Sequence, residues 1–235
     1  MTKSFKTFLK HTAKDYHNQS VNPPVVRAST IIFKSMQDIR KTQDKAKNDP
    51  TGGHYDYGRQ GTSTTYILSQ ILKTMEECHH VFLTPTGFGA VFLAIFSVVR
   101  PGDEIIVADP TYSPTRLLTQ DFLKEFNIKT TFYNPHDLKT LENNITKKTK
   151  LIFVENPGSN SFDFQDLGKI LLIAKKNKIL TAIDNTWGTP YFLKPIPLGF
   201  DMSIVSATKY YSGHSDVMGG SLAVNKKVFK EVDKA

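Results

Sequence analysis

The sequence of 235 residues is 39% hydrophobic, which is enough to bury one substantial core in a globular protein. It has 30 lysine and arginine residues against 22 aspartate and glutamate residues, which gives a net charge of +8. Such a charge can indicate binding to nucleic acid or to an anionic surface. Here the basic residues are scattered as single residues and short pairs rather than in long runs, so we expect no nucleic-acid binding.

Three features of the sequence indicate the cellular compartment of the protein. The one cysteine, Cys78, cannot form an internal disulfide bond, which suits a reducing compartment. Charged residues interrupt the segment 1–20 before an apolar core of signal-peptide length can form. The longest apolar run, residues 90–99, is about half as long as a helix that spans a bilayer. We therefore expect a cytoplasmic protein without a membrane-spanning segment.

From residue 81 onwards, short apolar or β-branched runs alternate with longer amphipathic segments, a pattern typical of repeated βαβ units. The predicted strands are residues 81–83, 104–109, 129–133, 151–155, 180–184, 203–207 and 221–224. The predicted helices are residues 87–99, 115–126, 137–143 and 165–176. Parallel strands joined by right-handed crossovers need helices on both faces of the sheet. We therefore predict an α/β fold, a three-layer α/β/α domain with a mostly parallel seven-stranded sheet.

The first 50 or so residues have a different composition. They are polar and contain Pro23 and Pro24, followed by a stretch rich in lysine, aspartate and asparagine at 41–49. This composition favours an extended arm with a short helix over a part of the sheet. The predicted organisation is therefore an N-terminal arm, residues 1–55, and a large domain, residues 56–235.

A glycine-containing turn at residues 84–89 follows the first predicted strand and opens a helix. Gly87 and Gly89 allow backbone N–H groups to approach a ligand, and the helix N-terminus favours a phosphate there. One interpretation is a dinucleotide site, with Asp109 at the end of the next strand as the ribose-binding carboxylate. Against it, Phe92 occupies the position of the third glycine. The other interpretations are a phosphate cup for pyridoxal phosphate (PLP) and a turn without a ligand.

Asp184 ends an apolar strand, at the edge where α/β sheets place their ligand sites. In PLP chemistry a carboxylate pairs with the pyridine nitrogen and keeps it protonated, so that the ring accepts electron density. Asp184 is our candidate for this role. The alternative is a turn or a helix cap, since Asp-Asn pairs are common there.

Lys209 lies just beyond another apolar strand, between the hydroxyl residues Ser206 and Thr208 on one side and Tyr210 on the other. A lysine in this place can hold an aldehyde cofactor as a Schiff base, while the two hydroxyl groups bind its phosphate. Lys209 follows Asp184 by 25 residues, one further sheet element, so both side chains are expected in one crevice. The alternative is an ordinary solvated lysine.

Three further residues are candidates for the site. Arg59 offers a fork of donors that fits a phosphate, and Tyr57 adds a phenolic hydroxyl, so this segment is a candidate for contact with a partner chain. Tyr112 follows a strand end and is placed to stack its ring on a flat cofactor. A surface turn and ordinary partial burial are the alternatives. No residue pattern indicates a metal site.

Together these motifs resemble the Cys/Met-metabolism family of PLP enzymes, which have the fold of the type I PLP-dependent transferases. The blocks that carry the resemblance occur in family order at residues 21–30, 57–62, 155–159, 184–187, 206–210 and 213–216. They extend over nearly the whole chain.

The resemblance implies a role for each candidate residue. Lys209 would be the Schiff-base lysine, Asp184 the partner of the pyridine nitrogen, and Tyr112 the residue that stacks on the ring and assists proton transfer. The groups implied for the cofactor phosphate are the backbone N–H groups of Gly87 and Phe88, the hydroxyls of Ser206 and Thr208, and Tyr57 and Arg59 of a neighbouring subunit. A homo-oligomer, a dimer or tetramer, is therefore implied.

The resemblance also implies a reaction. The expected activity is that of a carbon–sulfur lyase of methionine biosynthesis, which converts L-cystathionine to homocysteine, pyruvate and ammonia by β-elimination. Chemistry of the γ-lyase or γ-synthase type is left open by these residues, and an NAD-binding oxidoreductase is the remaining alternative.

Family members continue into a smaller C-terminal domain that supplies an arginine for the substrate carboxylate. The sequence has no arginine after Arg116, so this domain is expected to be absent and activity to be impaired. The alternatives are an inactive PLP-binding fragment and one half of a split enzyme.

Overall fold

The computed structural model describes residues 22–235, which divide after Thr74 into two compact units. The beginning of the predicted arm and the segment considered as a signal peptide, residues 1–21, lie outside the described residues. The predicted division into an arm and a large domain at residue 55 stays a prediction.

The first unit contains the helix α1 (Met36–Asn48) and most of the helix α2 (Ser63–Glu76). Helix α1 begins after Ser35, whose hydroxyl accepts a hydrogen bond from the backbone N–H of Asp38, as a helix-capping serine does. Helix α2 was not predicted, although Leu68, Ile71 and Leu72 repeat with the spacing of one helix face.

The second unit is built on a seven-stranded sheet with the order β1-β7-β6-β5-β4-β2-β3. The strands are β1 (His80–Thr84), β2 (Glu104–Ala108), β3 (Lys129–Tyr133), β4 (Thr149–Glu155), β5 (Leu180–Asp184), β6 (Met202–Val205) and β7 (Gly220–Val224). Strands β2 to β6 are parallel, whereas β7 runs antiparallel to both of its neighbours, β1 and β6. The prediction of a mostly parallel sheet of seven strands is confirmed.

Helices cover both faces of this sheet. They are α3 (Gly87–Val98), α4 (Ser113–Leu117), a π-helical segment (Leu118–Phe122), α5 (Leu123–Glu125), α6 (Leu138–Asn143), α7 (Leu167–Asn177), α8 (Thr189–Phe192), α9 (Pro195–Leu198) and α10 (Phe229–Lys234). The predicted helix at 115–126 is thus divided by a π-helical turn. The four-residue helices α8 and α9 were not predicted because so short a segment shows no periodicity.

Two hydrophobic cores lie on opposite faces of the sheet, because alternate residues of a strand point to opposite sides. Along β2, Ile105 and Val107 belong to the core beneath α3 and α10, which includes Ala94. Ile106 belongs to the other core, beneath α6 and α7, together with Ile170. The predicted three-layer α/β/α architecture is therefore confirmed.

Within residues 22–235, no helix combines the length and the apolar character needed to cross a bilayer. The same residues contain no cluster of three or more histidine, cysteine, aspartate or glutamate side chains arranged to hold a metal ion.

Glu76, the last residue of α2, is buried, with only 1% of its surface exposed. The hydroxyl of Ser203 on β6 donates a hydrogen bond of 3.3 Å to Oε1 of Glu76. This contact favours the charged form, but desolvation is larger and raises the pKa of Glu76 to about 8. The carboxyl group is therefore protonated in the folded protein at neutral pH.

This protonation predicts how stability depends on pH. Because the folded-state pKa lies above the ordinary value of 4.5, the unfolded chain releases its proton first as the pH rises. Glu76 therefore lowers the free energy of unfolding by about 1.4 kcal/mol per pH unit from above pH 4.5 up to about pH 8. In Glu76→Gln this contribution disappears, and urea unfolding between pH 5 and pH 8 measures the change in slope.

The matched control for that experiment is Glu125→Gln, which removes an exposed carboxyl group from α5. We expect the control to keep the slope of the natural protein. An identical slope in Glu76→Gln and the natural protein would show that Glu76 is ionised in the folded state.

Candidate active site

The turn between β1 and α3 brings a helix N-terminus to the edge of the sheet. Thr86 caps α3, since its hydroxyl accepts a 2.9 Å hydrogen bond from the N–H of Gly89. A Cβ atom on Gly87 would lie 2.5 Å from Oγ of Ser206, so no larger residue fits here without displacement. The turn therefore packs directly against the segment that precedes Lys209, with the positive end of the helix dipole at the contact.

The segment after β6 is a tight loop that carries the predicted cofactor lysine. The N–H of Lys209 donates to the carbonyl of Ser206 at 3.1 Å, and Gly213, with φ of +71°, donates to the carbonyl of Lys209 at 2.8 Å. The side chain of Lys209 is exposed. Oγ1 of Thr208 lies 3.2 Å from both the carbonyl oxygen and the N–H of Gly219, which ties the loop to the segment that enters β7.

Asp184 ends β5 and is linked by hydrogen bonds to the same loop. Its Oδ1 accepts from the N–H of Thr186 at 3.0 Å, and the hydroxyl of Thr186 accepts from the N–H of Ser206 at 2.8 Å. Desolvation raises the pKa of Asp184 above its usual range, and the hydrogen bonds from Thr186 oppose this rise. Asp184, Ser206 and Gly87 thus lie in one connected network.

Glu155 is a site residue that the sequence analysis missed. It ends β4 and pairs in register with Asp184 on the neighbouring strand, so the two carboxyl groups emerge side by side. Burial, and next the charge of Asp184, raise the pKa of Glu155 to about 8. The signal was present in the sequence, because residues 151–155 form an apolar strand that ends in an acid, just as residues 180–184 do.

Tyr112 is brought to this edge by Glu155. The backbone N–H of Tyr112 donates to Oε2 of Glu155 at 2.6 Å, and the phenol side chain is 48% exposed. Two aromatic rings, those of Phe162 and Tyr210, lie edge-on to the ring of Trp187 at centroid distances of 5.2 and 5.9 Å. The edge therefore carries exposed aromatic rings as well as charged groups.

Asp109, the acid of the dinucleotide interpretation, is engaged elsewhere. Its Oδ1 lies 2.5 Å from Nη2 of Arg116, which also donates to the carbonyl of Asp109 at 2.6 Å. The guanidinium group of Arg116 in turn lies 4.0 Å from the centre of the Phe132 ring. One of the two carboxylate oxygens of Asp109 is thus already paired with a cation, which disfavours a dinucleotide site.

Tyr57 and Arg59 lie in the first unit. Tyr57 forms an isolated antiparallel bridge with Thr30 and is 45% exposed. The Arg59 guanidinium carbon lies 6.0 Å from the centre of the Tyr57 ring, at the outer limit of a cation–π contact. Their predicted contact with the phosphate of a neighbouring subunit stays a prediction.

The second unit therefore gathers, at the carboxyl ends of its parallel strands, most of the groups predicted for PLP. The Gly87 turn offers backbone N–H groups, and Asp184 offers a carboxylate whose burial favours pairing with a cation. Lys209 supplies an exposed amine on a loop that contacts the turn through Ser206. A phosphate, an aldehyde and a basic ring nitrogen on one small molecule fit this arrangement.

Comparison with known proteins supports the same class. The family model for Cys/Met metabolism PLP-dependent enzymes matches residues 6–235. The chain belongs to this family, and PLP is its cofactor. The cofactor prediction is thus confirmed, and the dinucleotide interpretation of the Gly87 turn is not supported.

Two curated relatives show how closely the chain matches. It is 34% identical over 229 residues to a putative cystathionine beta-lyase of Rhizobium johnstonii, covering 97% of this chain and 55% of that protein. It is 33% identical over 217 residues to an L-alanine/L-glutamate racemase of Wolbachia pipientis, covering 90% and 53%. The chain thus spans just over half the length of these relatives.

A solved structure confirms the fold. The crystal structure of a putative O-acetylhomoserine (thiol)-lyase from Campylobacter jejuni, which holds a pyridoxyl-lysine phosphate residue, superposes with a TM-score of 0.86 at 28% identity. The match covers 98% of this chain and 56% of that one. The predicted fold of the PLP-dependent transferases is confirmed.

The close approach of Gly87 to Ser206 yields a second prediction. We expect Gly87→Ala to lower the free energy of unfolding by about 1–3 kcal/mol, the range for overpacking, because the new Cβ atom lies within 2.5 Å of Ser206 Oγ. Gly168→Ala is the matched control. Gly168 also lies in the first turn of a helix, but its Cβ atom would meet only Asp166 Oδ1 at 3.5 Å.

Urea unfolding of both variants measures the difference. The control should gain up to about 1 kcal/mol, since alanine is the better helix former. Equal stability of Gly87→Ala and the natural protein would contradict the packing described for this turn.

Proposed function

We propose that this protein is a PLP-dependent carbon–sulfur lyase that cleaves L-cystathionine by β-elimination, in the cytoplasm and as a step of methionine biosynthesis. The observation that carries the proposal is the network that joins Gly87, Ser206 and Asp184 beside the Lys209 loop. The similarity to the Rhizobium protein supports the choice of substrate.

When bound, PLP supplies an electron sink that stabilises negative charge on the α-carbon of an amino acid. We assign Asp184 to the ring nitrogen, because a desolvated carboxylate gains most from a cationic partner. The N–H groups of Gly87 and Phe88 and the hydroxyls of Ser206 and Thr208 would bind the phosphate. Thr208 would then exchange its contact with Gly219 for one with the phosphate.

Lys209 has two roles in this proposal. Its amine would hold the cofactor covalently and, once released by the incoming substrate amine, would take the proton from the α-carbon. Tyr112 would stack its ring on the cofactor and assist the proton transfers. The Cβ–S bond would then break, and sulfur would leave with the electron pair of that bond. Proton uptake would give homocysteine, and hydrolysis of the three-carbon remainder would give pyruvate and ammonia.

We also propose a homo-oligomer in which Tyr57 and Arg59 bind the cofactor phosphate of a neighbouring subunit. The fork of N–H donors on Arg59 matches the geometry of a phosphate, and the exposed phenol of Tyr57 adds one donor. Both residues lie in the first unit, apart in sequence from the groups gathered by the second unit.

Amino-acid racemisation is a second candidate function, favoured by the similarity to the Wolbachia protein. It begins with the same removal of the α-proton, and therefore uses Lys209 and Asp184 in the same way. The two activities differ afterwards, because a racemase returns the proton to the opposite face, whereas a lyase expels the sulfur group.

The third prediction concerns Lys209. Added PLP should give the natural protein the visible absorption band of lysine-bound cofactor, and Lys209→Ala should lack this band. Release of pyruvate from L-cystathionine should fall by about 10²–10⁴-fold, the usual contribution of an acid–base group. Lys226→Ala, which removes an exposed lysine just beyond β7, is the matched control and should keep both the band and the activity.

The substrate is tested in the same preparation with L-cystathionine, L-methionine and L-alanine. Pyruvate from L-cystathionine supports the proposed lyase, 2-oxobutyrate from L-methionine indicates a γ-lyase, and D-alanine from L-alanine indicates a racemase. A band without turnover of any substrate would favour a PLP-binding protein without activity. A protein without the band would overturn the proposal.

A further inference from the structure

Glu155 accepts several hydrogen bonds from the loops around it. The N–H of Tyr112 donates to its Oε2 at 2.6 Å, and the hydroxyl of Thr111 donates to the same atom at 3.2 Å. The hydroxyl of Ser159, in the loop after β4, is a third donor to this carboxyl group. One side chain thus joins the end of β4 to the loop that carries the Tyr112 ring.

The backbone of Glu155 is itself held firmly. Its N–H and carbonyl groups belong to a central strand, and the side-chain amide of Gln165 donates to its carbonyl oxygen at 2.8 Å. The backbone N–H of Gln165 donates to Oδ1 of Asn156 at 2.8 Å, and Oη of Tyr133 donates to Oε1 of Gln165 at 2.5 Å. The Glu155 side chain therefore extends from a rigid, buried base.

Two backbone hydrogen bonds hold Tyr112, one of them to Glu155. Tyr112 precedes α4 without a side-chain capping bond, and its ring is about half exposed. Its N–H donates to Glu155, and its carbonyl accepts from the N–H of Arg116 at 2.9 Å. Helix α4 continues directly into the π-helical segment, so the bond to Arg116 anchors Tyr112 on the helix side, whereas Glu155 anchors it on the loop side.

We propose that Glu155 is a positioning residue, which holds the Tyr112 ring over the cofactor by binding the hydroxyl of Thr111 and the backbone N–H of Tyr112. Its effect passes through Tyr112 and not through contact with the substrate. The role of Tyr112 at the cofactor rests on the proposed function. The ordering of the loop by Glu155 does not depend on the proposed function.

The neighbouring acid determines which substitutions preserve this role. Asp184 lies beside Glu155 in register, so the two carboxyl groups repel each other when both are charged. A protonated carboxyl and an amide share the carbonyl oxygen that accepts a hydrogen bond from an N–H group. Glu155→Gln should therefore keep Tyr112 in place, whereas Glu155→Ala removes the acceptor.

The fourth prediction is tested by amide hydrogen exchange on the protein without cofactor. In Glu155→Ala, the Tyr112 amide should exchange about tenfold faster than in the natural protein, the effect of losing a hydrogen bond to an acidic group. In Glu155→Gln its rate should stay within about twofold. The internal reference is the Asp109 amide, which donates to the carbonyl of Tyr133 and makes no bond to Glu155.

Faster exchange of Tyr112 without a change at Asp109 supports the inference, because general destabilisation would accelerate both amides. An unchanged Tyr112 rate in Glu155→Ala overturns it. If Glu155→Ala does not fold, Glu155→Asp replaces it, since the shorter side chain keeps a carboxyl group but withdraws the acceptor from the N–H of Tyr112. In Glu155→Asp, the Tyr112 amide should exchange faster than in the natural protein.

A PLP titration followed by the visible band tests the link to the cofactor. Glu155→Ala should need about tenfold more PLP for half-saturation, roughly the loss of one aromatic stacking contact, and Glu155→Gln should restore the affinity of the natural protein. If Glu155→Ala keeps the PLP affinity of the natural protein although its Tyr112 amide exchanges faster, the positioning role is rejected. If the natural protein itself shows no band, the proposed function fails, while the exchange rates still decide whether Glu155 orders the loop.

Discussion

The site depends on the contact between the Gly87 turn and Ser206. This contact joins the first crossover of the second unit, between β1 and α3, to the loop that follows β6 near its end. It is possible only because residue 87 has no side chain, since a Cβ atom would overlap Ser206. One missing methyl group thus allows a helix N-terminus and the Lys209 loop to meet.

Parallel strand pairing provides the rest of the arrangement. Strands β4, β5 and β6 are neighbours and run in the same direction, so the residues that follow them emerge at one edge. Glu155 and Asp184 pair in register, and Thr186 bridges from Asp184 to the backbone of Ser206. Desolvation at this edge raises the pKa of both carboxyl groups, and the charge of Asp184 adds to the rise at Glu155.

A desolvated pair of acids is unfavourable in itself but suits a cationic ligand. The charge of a ring nitrogen beside Asp184 would offset the repulsion from Glu155, so the pairing of these two acids favours the binding of a cationic ring. Glu76 presents the opposite case. Glu76 is a buried acid next to Ser203, and there protonation of the carboxyl group, not a cationic ligand, relieves the cost of burial.

Membership of a PLP family explains why these groups occur together, but the same groups serve more than one reaction. The proteins similar to this chain include one named as a β-lyase and one named as a racemase. All such reactions begin at the α-carbon, where Lys209 and Asp184 are proposed to act. What distinguishes them is the fate of the charge after proton removal, which other contacts to the substrate decide.

The sequence by itself determined the strands of the second unit, its long helices and the positions of Lys209, Asp184 and the Gly87 turn. It could do so because alternation, apolar runs and glycine turns are local signals. Only the tertiary structure revealed that Glu155 binds the N–H of Tyr112, that Arg116 forms an ion pair with Asp109, and that β7 runs antiparallel to its neighbours. The first and the last depend on which distant segments pair in the sheet, and periodicity along the chain carries no information about that choice. The ion pair joins residues seven apart and depends on the conformation of the turn between β2 and α4.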